Sequence, residues 1–121
     1  MGDYRPPPLS MADETTDMIE LPGEKGRWLF QRVRIYKGRV VDFCVELQLE
    51  DEDGNHFPIE RVDCHHGEIH RHHFPKSGDE RADKLLDLYV GMRDQVTAEY
   101  LRAYDDIVDD FEAKVGRWKN G

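Results

Sequence analysis

Five of the six histidines of this chain fall within residues 65–73, inside the run RVDCHHGEIHRHHF that occupies residues 61–74. Two arginines, two carboxylates and a thiol share that run. Imidazole is the side chain whose ordinary pKa lies nearest neutrality, so it can both accept and release a proton there. A carboxylate against one ring nitrogen fixes the tautomer and raises the basicity of the other. Cleavage of RNA by its own 2′-hydroxyl needs a general base, a general acid and a cation near the phosphate. His70 with Asp63 can supply the base, His66 the acid, and Arg71 or Arg61 the cation. The same residue types also suit a metal ion. Side chains two apart in a strand point the same way, about 6.6 Å apart along it. His70 and His72 can therefore both ligate zinc or another divalent transition metal, with Asp63, Glu68 or His65 as a third ligand. Cys64 as a covalent nucleophile is a weaker reading, because a strand cysteine usually serves packing. The plain alternative is a surface strand on which Arg61 and Asp63 form cross-strand ion pairs and His66 serves a turn. GxGxxG and Walker sequences are absent, so no nucleotide cofactor is indicated.

These residues have to be positioned by a hairpin. Residues 57–64 and 68–74 are short runs rich in β-branched, aromatic and His side chains, and His66-Gly67 can turn between them. With those two as the loop, Asp63 faces His70, Arg61 faces His72, Val62 faces Arg71 and Cys64 faces Ile69. Opposed side chains share a face. One face then carries Arg61, Asp63, His70 and His72, and the other carries Val62, Cys64, Ile69 and Arg71. A slip of one residue would exchange the two faces.

The pattern R-x-D-x-x-H-G-x-x-H-R, made here by Arg61, Asp63, His66, Gly67, His70 and Arg71, resembles the signature of a family of small bacterial domains of unknown function. Members of that family also have a preceding hairpin with a V-V-D-F segment, here Val40-Val41-Asp42-Phe43, and a closing amphipathic helix. The resemblance spans residues 28–118 and implies a shape and a site. More distantly, the chain is similar to the TumE-type toxins of bacterial toxin–antitoxin pairs, which carry a comparable Asp/His-rich strand. That likeness implies RNA as substrate and an antitoxin-like protein as partner. The chain departs from the family pattern at His65 and His72.

Upstream of the hairpin, residues 28–36 alternate, with Leu29, Val33 and Ile35 on one side, and Lys37-Gly38-Arg39 makes a turn. Val41, Phe43, Val45, Leu47 and Leu49 then form one apolar face, with Asp42, Cys44, Glu46 and Gln48 on the other. A three-residue turn sets Ile35 opposite Val41 and Val33 opposite Phe43. Residues 51–55 are a second turn with Asx and Gly chemistry. From Asp94, placed to cap a helix, apolar residues recur at three and four: Val96, Tyr100, Leu101, Tyr104, Ile107, Val108, Phe111, Val115 and Trp118. Residues 80–92 suit either a short helix or an extended segment. The expectation is an α+β domain over residues 25–121: a four-stranded antiparallel β-meander with a long C-terminal helix packed on one face. Residues 1–24, with three consecutive prolines and no periodicity, read as a disordered acidic arm.

Composition bounds the function. At 121 residues, one domain is expected. With 38% hydrophobic and 36% charged residues, its core must be small. The net charge of −9 is uneven: the first 24 residues hold one Arg against six acids, whereas 25–82 hold ten basic residues against eleven acidic. Strong nonspecific DNA binding is not expected without an excess of Lys and Arg, although a local Arg/His patch can still meet RNA. No apolar run approaches a membrane span and no leader precedes a cleavage site, so a cytoplasmic protein without a membrane partner is expected. Cys44 and Cys64 form no C-x-x-C pair and read as reduced thiols. Two functions follow. The first is a small toxin-like protein acting on RNA by acid–base chemistry through Asp63, His66, His70, Arg71 and Arg61. The second is a non-enzymatic module that binds a protein or a metal through the same hairpin.

Overall fold

The computed structural model describes residues 2–121 and shows one antiparallel sheet covered by one helix. The strands are β1 (Asp13–Glu20), β2 (Arg27–Tyr36), β3 (Arg39–Glu50), β4 (His56–His65), β5 (Glu68–His73) and β6 (Arg81–Asp87), ordered across the sheet as in the chain. The helix α1 (Arg93–Asn120) closes it, and single 3-10 turns lie at Leu9–Met11 and Val90–Met92. The α+β class and the helix on the sheet match the expectation. The sheet, however, has six strands rather than four.

Both additional strands are edges. β1 lies within the segment read as a disordered arm, and β6 within the ambiguous stretch 80–92. Their residues are almost all exposed, so neither shows the apolar alternation of a half-buried strand. Each is held by a ladder on one side only, β1 against β2 and β6 against β5. The chain ahead of β1 is anchored as well. Tyr4 is buried, its hydroxyl donates to the Val41 carbonyl at 2.7 Å, and its N–H donates to the Leu88 carbonyl at 3.1 Å.

Two hairpins turn on two residues each. Lys37 and Gly38 have φ of 51° and 76°, and His66 and Gly67 have φ of 50° and 72°. Paired left-handed residues are the primed turn whose twist suits adjacent strands. At the first hairpin, Val33 faces Phe43 as expected, but Ile35 faces Val40 rather than Val41. A bulge between Arg34 and Ile35 absorbs the difference.

Leu29, Phe43, Val45, Leu47, Val62 and Ile69 form the inner face of the sheet, and Val96, Ile107, Phe111 and Val115 of α1 close over it. Leu101 falls off this stripe, at 52% exposed. The helix begins at Arg93 with no side-chain cap. Asp94, expected as the cap, lies in the first turn and pairs with Arg39 at 3.1 Å. A negative charge there still complements the helix dipole. A helix about 10 Å across cannot cover six strands spaced about 4.8 Å apart. α1 lies on β3 and β4 and leaves the β5–β6 side of the same face uncovered. Among the described residues, no helix is long and apolar enough to cross a membrane.

Candidate functional site

The turn at His66-Gly67 fixes the register of the histidine hairpin. Asp63 pairs with His70, Arg61 with His72, Val62 with Arg71, and Cys64 with Ile69, as the sequence predicts. On β3, Cys44 is opposite Asp63 and Glu46 opposite Arg61, so the strand face turned away from α1 is a lattice of polar groups. That face is better covered than a solvated one. Asp42, Cys44 and Glu46 are all buried, roofed by the long side chains of the flanking strands. Arg34 Nη1 lies 2.8 Å from Asp42 Oδ2, and Arg61 Nη2 lies 2.7 Å from Glu46 Oε1.

Within this lattice the histidines choose partners that the register alone does not indicate. His70 Nε2 lies 2.7 Å from Glu68 Oε1, its neighbour two residues back on the same strand face. Asp63, directly across from His70, instead takes His72, whose Nε2 is 3.3 Å from Asp63 Oδ1. The Asp63–His70 dyad expected from the sequence is therefore replaced by two pairs, Glu68–His70 and Asp63–His72. The imidazoles stand 6.0 Å apart between ring centroids. Both side chains are 19% exposed. His72 Nδ1 is shut from solvent, 3.8 Å from Glu80 Oε1, and the ring stacks on Phe74 at 15° between planes. The Arg61 guanidinium lies over the Phe74 ring, 5.0 Å from its centre. Burial works against the Arg61 charge, but the charge and hydrogen bond of Glu46, with Cys44 and Asp63 nearby, together raise the guanidinium pKa.

Two residues of the expected constellation stand elsewhere. Arg71 is on the helix side of the sheet, as the pairing of Val62 with Arg71 requires, near Glu60 at 4.0 Å and Asp106 at 3.8 Å. His66 is in the turn, its ring 3.8 Å from that of His65. Both line a recess of about 230 Å³ with Asp42, Cys64 and Tyr4. The alternation of strand side chains accounts for Arg71, and the φ of His66 accounts for the other departure. Arg61, Asp63, His70 and His72 remain together on one face, joined by Glu68, to which the sequence reading gave only the part of a third metal ligand.

The nitrogen geometry also bears on metal binding. His70 and His72 each turn Nε2 to a different carboxylate, and among the described residues no group of three or more His, Cys, Asp and Glu is gathered to hold a metal ion. Both cysteines are free thiols. Cys64 lies on the core side next to Ile69, and burial pushes its thiol far above the ordinary range, which opposes formation of the nucleophilic thiolate. Comparison with protein-family models, with curated proteins and with solved structures finds no match.

Proposed function

We propose that the protein is a toxin-like agent that cleaves RNA by acid–base chemistry on the polar face of its histidine hairpin. The observation that supports this reading is the pair of adjacent imidazoles, 6.0 Å apart, each held by its own carboxylate. With Nε2 of His70 committed to Glu68, its Nδ1 is left to take the proton of a 2′-hydroxyl. The 2′-oxygen attacks phosphorus, the bond from phosphorus to the 5′-oxygen breaks, and the second imidazole, His72, gives its proton to the leaving oxygen. The products are a 2′,3′-cyclic phosphate and a 5′-hydroxyl. Arg61 supplies positive charge toward the phosphorane. Glu80, which is half exposed, has to swing away from His72 Nδ1 for the second transfer. A partner protein covering this face would act as the antitoxin.

The test is incubation of the purified protein with an RNA oligonucleotide in chelator, with analysis of the product ends. Wild type should leave cyclic phosphates. His70→Ala should keep its circular dichroism and lose about 10²–10⁴-fold in rate, the range typical of a single proton-transfer group. Equal cleavage by His70→Ala, or none by wild type, would rule the reading out.

A second reading is a non-enzymatic module that binds a protein or a metal ion. It draws support from the internal pairing of the face, where Arg61 is bound to Glu46, Arg34 to Asp42 and Glu14, and His70 to Glu68. Such a face presents complementary charge with little net field. It predicts no turnover of RNA.

A further inference from the structure

The helix side of the sheet holds a cleft of about 670 Å³ where α1 leaves β5 and β6 uncovered. That volume lies in the range of small-molecule sites. The sheet register assembles its floor, because Glu60, His73 and Arg81 are in line across β4, β5 and β6, with Arg71 in the next row. The last turns of α1 add Lys114, Arg117 and Trp118. Trp118 is fixed rather than loose, since its indole N–H donates to the Phe74 carbonyl at 2.8 Å.

The ion pairs of the cleft leave two cations, Arg71 and Arg81, without a close partner among the described residues. Lys114 is buried and its ammonium lies 2.7 Å from Glu60 Oε2 and 2.9 Å from Asp106 Oδ2, pairing with both by charge although Glu60 Oε2 accepts no hydrogen bond. Arg71 addresses the same two carboxylates only from 4.0 and 3.8 Å, and its Nε has no hydrogen-bond partner. Arg81 has no side-chain ion pair among the described residues, and Arg117 pairs outward with Asp110 at 3.4 Å. Lys114 ties helix to sheet by charge, and Arg71, with no carboxylate at hydrogen-bond distance, keeps donors of its fork for an oxyanion. Ile59, Pro75 and the Trp118 ring provide an apolar wall beside that fork.

We propose that this cleft binds a small organic anion, a carboxylate or phosphate carried on a flat apolar body. The guanidinium of Arg71 takes the oxyanion, Arg81 adds charge at the open rim, and the flat body lies against Trp118. The cleft opens on the opposite side of the sheet from His70, and Glu80, which lines it, is the one residue it shares with the mechanism proposed there.

Titration of the full chain, followed by the Trp118 indole N–H in proton–nitrogen correlation spectra, tests this. The probes are adenosine 5′-monophosphate, benzoate, uncharged adenosine and inorganic phosphate. Saturable shifts are expected with at least one of the two organic anions. Affinity for adenosine and for inorganic phosphate should be at least tenfold weaker. A preference for the nucleotide identifies phosphate as the anion, and a preference for benzoate identifies carboxylate. Arg71→Gln should weaken binding tenfold or more, and His70→Ala should leave it unchanged. Arg81→Gln, on an exposed edge strand that tolerates substitution, should weaken it severalfold and serves if Arg71→Gln fails to fold. No saturation by either organic anion at millimolar concentration, or undiminished affinity in the arginine variants, would overturn the proposal.

Discussion

Cys44 sits in the middle of the polar face, and burial pushes its thiol up to about 11 against the opposing influence of Arg61. Burial also raises Tyr4 to about 12 and Cys64 further still. For each group the folded pKa exceeds the unfolded one, so the stabilisation is present in full below the unfolded value and is lost as pH rises through the folded value. The window for Cys44 therefore opens near pH 9 and closes near 11. Denaturant unfolding should show stability level at pH 7–8 and falling above pH 9, at up to about 1.4 kcal/mol per pH unit for each group titrating. Cys44→Ala should flatten the first part of that slope whatever it does to stability at neutral pH. An unchanged slope would mean that this thiol is not sequestered. Residue-scale legibility follows the same geometry. Alternation groups Arg61 with Asp63 and His70 with His72, and a two-residue turn at His66-Gly67 brings the two pairs to one face. It does not say which carboxylate each imidazole takes, because direct, diagonal and same-strand neighbours are all within reach of side chains this long.

At the scale of elements, the histidine turn depends on one glycine for two reasons. Gly67 has φ of 72°, and a Cβ there would stand 2.3 Å from the Gly2 carbonyl oxygen. Gly67→Ala should therefore cost about 2–3 kcal/mol, combining backbone strain with a backbone collision. Gly78→Ala, at φ 95° with nothing within 4 Å, should cost about 1 kcal/mol. Equal losses in denaturant unfolding would show that the chain start does not pack on the turn. β2, β3 and the helix were legible because each prints the period of its buried side in the sequence, and β4 and β5 because a His66-Gly67 turn joins two runs of strand-forming residues. β1 was not legible. Its sequence DETTDMIE has no buried face to print, and only hydrogen bonding to β2 makes it a strand. β6 has the same difficulty, with Leu85 exposed and only Leu86 packed against the core.

For the whole molecule, the start of the chain is part of the domain. Tyr4 and Leu21 are buried in the same core as Phe43 and Ile107. Burying a large apolar side chain contributes about 1.5–3 kcal/mol. Removal of residues 1–21 should thus lower stability by about 3–6 kcal/mol and expose β2 as an edge prone to association. Thermal unfolding and light scattering would detect both effects, whereas a solvated tail would leave both unchanged. Proline-rich, acidic composition hides this, because composition averages over residues and a single buried tyrosine can anchor a segment.

The meander order also sets a sequence of assembly in time. Every ladder joins a strand to the next one in the chain, so each hairpin closes a short loop and can form within microseconds. The seating of α1 on β3 and β4, and of Tyr4 between Val41 and Leu88, brings together distant parts of the chain. The rate-limiting barrier is expected at the docking of α1 on the sheet, with the Tyr4 segment seated after it. Loss of the Tyr4 hydroxyl removes a hydrogen bond made after that barrier, so in stopped-flow experiments Tyr4→Phe should accelerate unfolding about fivefold and leave refolding unchanged.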